Sequence, residues 1–378
     1  MPRNASRQRL VRILCRRAVP LLPVLIAAVF ASAAQAASPA ECASSFDPYT
    51  VSSATLSSCG ISTIPLSAKR TRADGATEYR YQVDGTEARF VLPPASLNPA
   101  SASAAQLSQY GIPSEPPSSE PAAVSLWQRM IANLHFVAPP STLVQIPAST
   151  TPPRAQLLQE EQEVTGQEVT AGAFKSSIWS GYLDVASSQK YTEAQGYYTE
   201  PSDHGTTCPN AAELTWAGLG GRNSEQLAQD GTGLATPGLG AHQAWWEILP
   251  AVTSIVPINL YATPGAEFLA EVIHVSGNEF EFFMYNYATG KGIAPLYETF
   301  KGYDGSTAEY IVERPTVNGT PTKLLNFGSV PFEGYSNHSA IDDFTFNTAT
   351  MVDSGGGVMA VPGSLSGASF TDTFKYCN

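Results

Sequence analysis

The chain has 378 residues, and its 33 Asp and Glu outnumber its 21 Lys and Arg, giving a formal net charge of −12 at neutral pH. The imbalance sits mainly from Ala173 onward, where 8 basic residues face 21 acidic ones (8 − 21 = −13). A surface of that sign repels phosphate backbones, which argues against a nucleic-acid partner, and it repels itself least in acid, where carboxylates protonate.

The first 36 residues read as an export signal. Arg3, Arg7, Arg9, Arg12, Arg16 and Arg17 form a basic start, Ala18 to Ala31 is an apolar run broken by Pro20 and Pro23, and Ala34-Gln35-Ala36 is a small-x-small cleavage site. The run is too short for a comfortable membrane anchor, and no later segment approaches the ~20 apolar residues of a spanning helix. The expected destination is extracellular or periplasmic, with no membrane contact once the signal is removed. Cys15 leaves with the signal, while Cys42, Cys59, Cys208 and Cys377 remain, an even number in an exported chain. Three pairings are open, of which Cys42 with Cys59 and Cys208 with Cys377 is the simplest. No Cys-x-x-Cys or clustered Cys/His spacing suggests a metal site, and no cofactor is expected.

Residues 37–172 read as a pro-region. Lys69 to Phe90, with Tyr79, Tyr81 and Val83 ahead of Asp84-Gly85, predicts a small hairpin. A Pro-, Ser- and Ala-rich stretch follows from Leu92-Pro93-Pro94 through Pro116-Pro117-Ser118-Ser119. Leu126, Met130 and Leu134 share one face of a short helix over Ser125–Leu134, closed by Pro139-Pro140, with Pro152-Pro153 after it. Glu160-Glu161-Gln162-Glu163 reads as a solvated linker. On composition the segment buries little and tethers one or two small elements. Its cluster Lys69, Arg70, Arg72, Arg80 and Arg89 is expected to pair with carboxylates of the acidic part and to let go in acid.

From Ala173 to Asn378 the pattern becomes all-β. Short runs rich in Val, Ile, Tyr, Phe and Trp recur between Gly, Asn, Asp and Pro clusters: Ile178–Leu183, Leu214–Leu219, Ala244–Leu249, Leu269–Val275, Glu279–Tyr285 and Glu309–Val312. About 200 residues of short strands without a convincing helix predict one antiparallel β-sandwich domain over 173–378.

Common hydrolase signatures are missing: there is no Gly-x-Ser-x-Gly elbow and no His-Glu-x-x-His. Asp353-Ser354-Gly355 looks like half of an aspartic-peptidase site, but no second matching loop exists, so it reads as a turn. His204, His242, His274 and His338 are scattered and read as structural or solvated. Three segments stand out: Trp216-Ala217-Gly218 with Leu227-Ala228-Gln229-Asp230-Gly231, then Gln243-Ala244-Trp245-Trp246-Glu247, then Glu309-Tyr310-Ile311-Val312-Glu313. Along a strand, residues i, i+2 and i+4 share a face. So Gln243, Trp245 and Glu247 point one way, as do Glu309, Ile311 and Glu313. A face with two carboxylates is a poor core face; it is either wet or the lining of a cleft.

Together these segments resemble the glutamic peptidases, the eqolisin family. The family's Trp-Gly start is similar to Trp179-Ser180-Gly181, and its Trp-x-Gly strand and Gln-x-Gly turn to Trp216–Gly218 and Gln229–Gly231. Its Ala-Trp-Tyr-Glu-x-x-Pro strand is similar to Ala244–Pro250, its Asn-x-x-Thr-Gly turn to Asn286–Gly290, and its Ala-Glu-aromatic-Ile-aliphatic-Glu strand to Ala308–Glu313. The resemblance implies a concanavalin-like sandwich of two bent seven-stranded antiparallel sheets with peptide substrate across the concave face. It places the catalytic pair on Gln229 and Glu313, and substrate-binding residues on Trp179, Trp216, Gln243, Trp245, Glu247 and Glu309. Two aspartates of the family's cleft are replaced here by Gly220 and Gln243.

The chemistry suits that pair. Peptide hydrolysis needs a base for water and a donor for the oxyanion. A Glu313 carboxylate supplies the base and, once protonated, the acid for the leaving amine; the Gln229 amide supplies N–H donors. The expected protein is a secreted, metal-independent acid endopeptidase, acting as a monomer on proteins or peptides. The competing readings are a carbohydrate-binding sandwich, with Trp245, Tyr285 and Tyr287 as stacking platforms, and a glycosidase using Glu279 and Glu281. Asn318-Gly319-Thr320 and Asn337-His338-Ser339 are glycosylation acceptors in a host that glycosylates.

Overall fold

The computed structural model describes residues 42, 46–149, 172–186, 190–205, 208–209, 211–222, 225–234, 238–240, 242–317 and 319–378. The export signal, the Glu160–Glu163 run and Asn318 lie outside the described residues. The N-terminal part holds β1 (Ser62–Pro65), β2 (Ala68–Thr71), β3 (Thr77–Val83), β4 (Thr86–Leu92), β5 (His135–Val137), β6 (Thr142–Gln145) and β7 (Ala148–Ser149). The rest is almost entirely strands: β8 (Ala173–Ser176), β9 (Trp179–Val185), β10 (Glu193–Thr199), β11 (Ala211–Gly220), β12 (Leu227–Leu234), β13 (Gln243–Leu249), β14 (Val252–Tyr261), β15 (Glu267–Ser276) and β16 (Glu279–Asn286). These are followed by β17 (Lys291–Ile293), β18 (Leu296–Thr299), β19 (Thr307–Glu313), β20 (Thr316–Val317), β21 (Thr320–Pro321), β22 (Lys323–Leu324) and β23 (Ser329–Ser336). The last four are β24 (Ser339–Ala340), β25 (Phe346–Val352), β26 (Val358–Pro362) and β27 (Ser369–Phe374).

Two antiparallel sheets of seven strands form the sandwich. Sheet I runs β25–β9–β19–β11–β12–β13–β14. Sheet II runs β26–β27–β23–β10–β15–β16–β18, and β25 pairs with β26 to join the two. Alternation sends Ala217, Ala228, Trp246, Ile248, Tyr310 and Val312 of sheet I inward. They meet Tyr198, Phe268, Val272, Phe282 and Phe332 of sheet II in the main core.

The outer faces are covered too, by the N-terminal segment. Strand β4 pairs with β18, so the β4–β3–β2 meander extends sheet II. The hairpin turn has Asp84 at φ 50° and Gly85 at φ 83°, the pair of positive values a tight hairpin turn of matching twist requires. A helix over Pro121–Asn133, opened by Pro121, lays Leu126, Met130 and Ile131 against Tyr197, Leu269, Phe283 and Tyr285 on the outer face of sheet II. Leu56, Ile61, Val144 and Ile146 cover the outer face of sheet I, against Trp179, Trp216, Trp245, Leu227 and Ile311. The expectation that this segment buries little is corrected: Tyr81, Val83, Met130, Leu143 and Ile146 are completely buried. Its apolar residues pack on one another and on the sandwich, as members of the same clusters as residues of 173–378.

The basic cluster behaves differently from expectation as well. Arg89 reaches Glu279, and outside the cluster Arg129 reaches Glu267 at 2.8 Å. Arg70 and Arg80 pair with Glu78, Arg72 pairs with Asp74, and Lys69 lies over the Tyr79 ring, all within their own segment. The disulfides are Cys42–Cys59 and Cys208–Cys377. Among the described residues no helix is long and apolar enough to cross a membrane.

The interior between the sheets contains carboxyl groups matched to hydroxyls. Ser336 Oγ donates to Asp184 Oδ2 at 2.5 Å, Ser180 Oγ donates to Asp372 Oδ1 at 2.9 Å, and the Thr215 hydroxyl donates to Glu213. Burial drives all three up, Asp184 to about 8, Asp372 to about 7 and Glu213 to about 8, against the pull of those hydroxyls. Raised pKa values mean that their stabilising effect is complete below the unfolded value of ~4 and is lost as pH climbs through 7–8. Chemical denaturation midpoints should therefore fall steadily from about pH 4 to about pH 8, and Asp184→Asn should flatten that slope. A midpoint that rises over this range would contradict the assignment.

Candidate active site

Gln229 lies in the middle of β12, whose alternation puts Leu227, Gln229 and Gly231 on the outer face of sheet I. Its neighbours across the ladder are Gly218 on β11 and Glu247 on β13. The Gln229 Nε2 donates to Glu247 Oε2 at 3.1 Å. Glu313 closes β19, opposite Leu214 of β11 and Trp179 of β9. Trp216 Nε1 donates to Glu313 Oε2 at 2.9 Å, and the Trp179 indole N–H approaches the same carboxyl without reaching hydrogen-bond geometry. The two indoles pack edge to face, with centroids 5.4 Å apart.

Glycines make room for this. A Cβ on Gly218 would sit 2.9 Å from Trp216 Cζ3, and one on Gly231 would sit 2.7 Å from Trp216 Cα. Gly218 thus leaves room for the Trp216 ring, and Gly231 for the close approach of the β11 backbone. Trp245 occupies the same face and donates from Nε1 to the Thr232 carbonyl at 3.0 Å.

The site is sealed in this form. Gln229, Glu247, Glu309 and Glu313 all have 0% exposure. Burial pushes the Glu313 carboxyl well above the usual range; the nearby Glu247 adds to the rise and the indole donors oppose it. Glu309 is raised well above the usual range by burial, only partly offset by the Thr307 hydroxyl. Burial thus favours the protonated form of both glutamates.

The structure brings Gln229, Glu247, Trp216, Glu313 and Trp179 together, with Trp245 on the same face. Glu309 is on that face too, opposite Gly218 and so on the cross-strand row of Gln229 and Glu247, while Glu313 lies four residues further along β19, opposite Leu214. Gln243 is engaged elsewhere, where it accepts from Gly240 N at 3.1 Å and donates to the Ile258 carbonyl and to Tyr261 Oη. The histidines are structural as read: His242 pairs with Glu200 at 2.7 Å, His338 with Glu193 at 2.9 Å, and His274 stacks on Phe280. Asp353 accepts from Gly355 and Gly357 in a turn. The sequence reading missed Ile61, Val144 and Ile146, which roof the site; the alternating Leu143-Val144-Gln145-Ile146 was the available signal.

A family model described as the Peptidase A4 family matches residues 177–373, just over half of the chain. Among solved structures, scytalido-glutamic peptidase with a peptide-based transition state analogue is similar at 18% identity, over 53% of this chain and 99% of that one, with a TM-score of 0.43. SCP-B, a member of the eqolisin family, in complex with the tripeptide Ala-Ile-His, is similar at 16% identity over 53% and 99%, with a TM-score of 0.42. Aspergilloglutamic peptidase from Aspergillus niger is similar at 21% identity over 44% and 99%, with a TM-score of 0.36. At such scores the sequence match alone carries the family assignment. No curated protein matches significantly.

The Trp216 hydrogen bond can be tested without any assay of activity. Trp216→Phe keeps an aromatic ring but leaves a buried carboxyl oxygen without its donor, which should cost about 1–3 kcal/mol in equilibrium denaturation. A loss below about 0.5 kcal/mol would mean that the bond contributes little.

Proposed function

The chain belongs to the peptidase A4 family, and from that premise we propose that it is an acid endopeptidase using Glu313 as general base and acid and Gln229 as oxyanion donor. The observation that carries this reading is the shared face: Glu313, oriented by Trp216, lies on the same side of sheet I as Gln229, oriented by Glu247. With its cover removed, Glu313 returns toward the ordinary glutamate range of ~4.3 and is ionised in mild acid, where a histidine base would be protonated. It takes a proton from water as the water attacks the peptide carbonyl. The Gln229 N–H donors stabilise the oxyanion, and the protonated Glu313 then delivers its proton to the leaving amine. Neither step calls for a metal or a cofactor. Gly220 and Gln243, in place of the family's cleft aspartates, are proposed to change subsite preference and to raise the working pH.

Residues 1–36 are proposed as a secretion signal and 37–172 as a removable pro-region, since Leu56, Ile61, Val144 and Ile146 lie over the catalytic face. No observation favours the sugar-binding or glycosidase alternative: Trp245 and Tyr285 are buried in this form, as are Gln229 and Glu313, and Glu279 is tied to Arg89.

Glu313→Gln and Gln229→Ala should each lower kcat on casein by orders of magnitude while the protein stays folded, because each removes a transition-state stabiliser. EDTA and pepstatin should leave the rate intact; near-normal hydrolysis by Glu313→Gln, or EDTA inhibition reversed by zinc, would defeat the mechanism. Acid incubation of the full chain should give a fragment beginning between Gln156 and Ser177, with activity rising as it forms. An untrimmed chain that is already fully active would rule out the pro-region.

A further inference from the structure

On the side away from the β25–β26 junction the sandwich ends in two edge strands, β14 of sheet I and β18 of sheet II. The N-terminal segment spans that opening. Strand β4 takes up the β18 edge: Arg89 lies opposite Tyr297 and Phe90 opposite Leu296, and the Val91 N–H donates to the Pro295 carbonyl at 3.0 Å. At the tip of the β3–β4 hairpin, Asp84 Oδ2 accepts from Gln145 Nε2 at 2.7 Å and from the Thr253 N–H of β14 at 3.4 Å. Between these two holds, Tyr81, Val83, Ala88 and Phe90 are at most 1% exposed and join the main core with Val252, Val256 and Ile258 of β14 and Leu296 of β18. A bare edge strand is a template for pairing with another chain, and here the hairpin occupies it. A second set of anchors lies on sheet II. The His135 N–H donates to the Gly290 carbonyl at 2.8 Å and the Ala294 N–H to the Val137 carbonyl at 3.1 Å, where β5 runs parallel to β17. Tyr287 Oη donates to the Leu126 carbonyl at 3.2 Å. Gly111, at φ 64°, sits so close to the Glu281 carboxyl and the Tyr297 hydroxyl that a Cβ would overlap both. Apart from Gln145, the residues of the segment that make these contacts fall between Tyr81 and Val137. Leu56, Ile61, Val144 and Ile146, which lie over the catalytic face, fall outside that range, toward the two ends of the segment. Neither disulfide ties the segment to the sandwich: Cys42–Cys59 closes within the one and Cys208–Cys377 within the other.

We propose that residues 68–137 stay seated on the sandwich after the chain is cut between residues 149 and 172, as a second, noncovalently held chain of the working enzyme. The cut adds one water across one peptide bond, leaving a carboxylate on the N-terminal chain and an amine on the other, and it breaks none of the contacts above. What holds the two chains is then a shared core and paired strands, the make-up of an obligate interface. This narrows the removable pro-region to its two ends. Each end has a free terminus once the signal and the cut are made, so both can leave the catalytic face while residues 68–137 hold the far edge closed. Retention follows from the packing alone; only the activity of the two-chain form rests on the peptidase reading above.

The test uses the full chain with an affinity tag ahead of Ala37 and a site-specific protease sequence in place of residues 158–163, so that the cut does not depend on the chain's own activity. After the cut, at about pH 4, the two fragments should co-elute at about 1 µM, which requires a Kd below that concentration, and should part only in denaturant. Casein hydrolysis should be recovered with the tagged chain. Phe90→Asp, which sets a carboxyl in the shared core, should release the tagged chain after the cut. Where that variant does not fold uncut, Gly111→Val gives the same readout, with association weakened about tenfold or more. Fragments that separate at about 1 µM with the sandwich still folded overturn the inference, and so does casein hydrolysis found only in the fraction freed of the tagged chain. Fragments that stay together and hydrolyse nothing at any acid pH bear out the retention and defeat the peptidase reading.

Discussion

Strand Thr307–Glu313 is buried on both faces, and much of the molecule follows from that constraint. Its inner face, Ala308, Tyr310 and Val312, is ordinary core. Its outer face places Glu313 under an apolar roof from a distant part of the chain, and Glu309 on the same face is fully buried as well. A carboxylate in such a place loses hydration that its neighbours do not replace, so it keeps its proton. On the proposed reading one cover governs both access to the site and the ionisation of Glu313, and its removal would admit substrate and water together.

The sandwich was legible because its signals are local. Period-2 patterns such as Glu309-x-Ile311-x-Glu313 show which residues share a face whatever they pair with, and turn residues between apolar runs mark strand ends. The glycine spacing in Trp216–Gly218 and Gln229–Gly231 was visible as a motif; its physical meaning, space for an indole and for a close backbone, needs the neighbouring strand. The cover was not legible. Ile61 and the short run Leu143–Ile146 are apolar signals in proline-punctuated stretches, 85 positions apart (146 − 61), and nothing local says that they meet each other or the tryptophan-bearing strands that bury them. Likewise nothing near Asp184 foretells Ser336, and without that partner a buried aspartate reads as a surface one.

Electrostatics was the weakest part of the sequence reading because net charge does not say who meets whom. The N-terminal segment carries 7 basic and 12 acidic residues, and its arginines mostly satisfy its own acids. Arg89–Glu279 and Arg129–Glu267 cross to the sandwich, both partly exposed, a setting in which ion pairs contribute about 0–1 kcal/mol.

The larger titrating groups under the cover work in the opposite direction. Glu313 is raised by burial beneath it, and Glu281, directly under Gly111, is raised by burial to about 8. A group whose pKa is higher in the covered form favours cover fully below its open-form value of ~4, and this contribution disappears as pH rises through the covered-form value. Acid therefore tightens the cover through these carboxyls while it weakens only two surface pairs. Titration alone does not lift such a segment from a face that it also holds by strand pairing at β4–β18 and β7–β20. A covalent cut does what titration cannot: it separates the cover from the sandwich it is tethered to, so that dilution acts on what was an intramolecular contact. On the proposed reading, the same acid that strengthens the contact is the condition in which an uncovered Glu313 would serve as general base and acid.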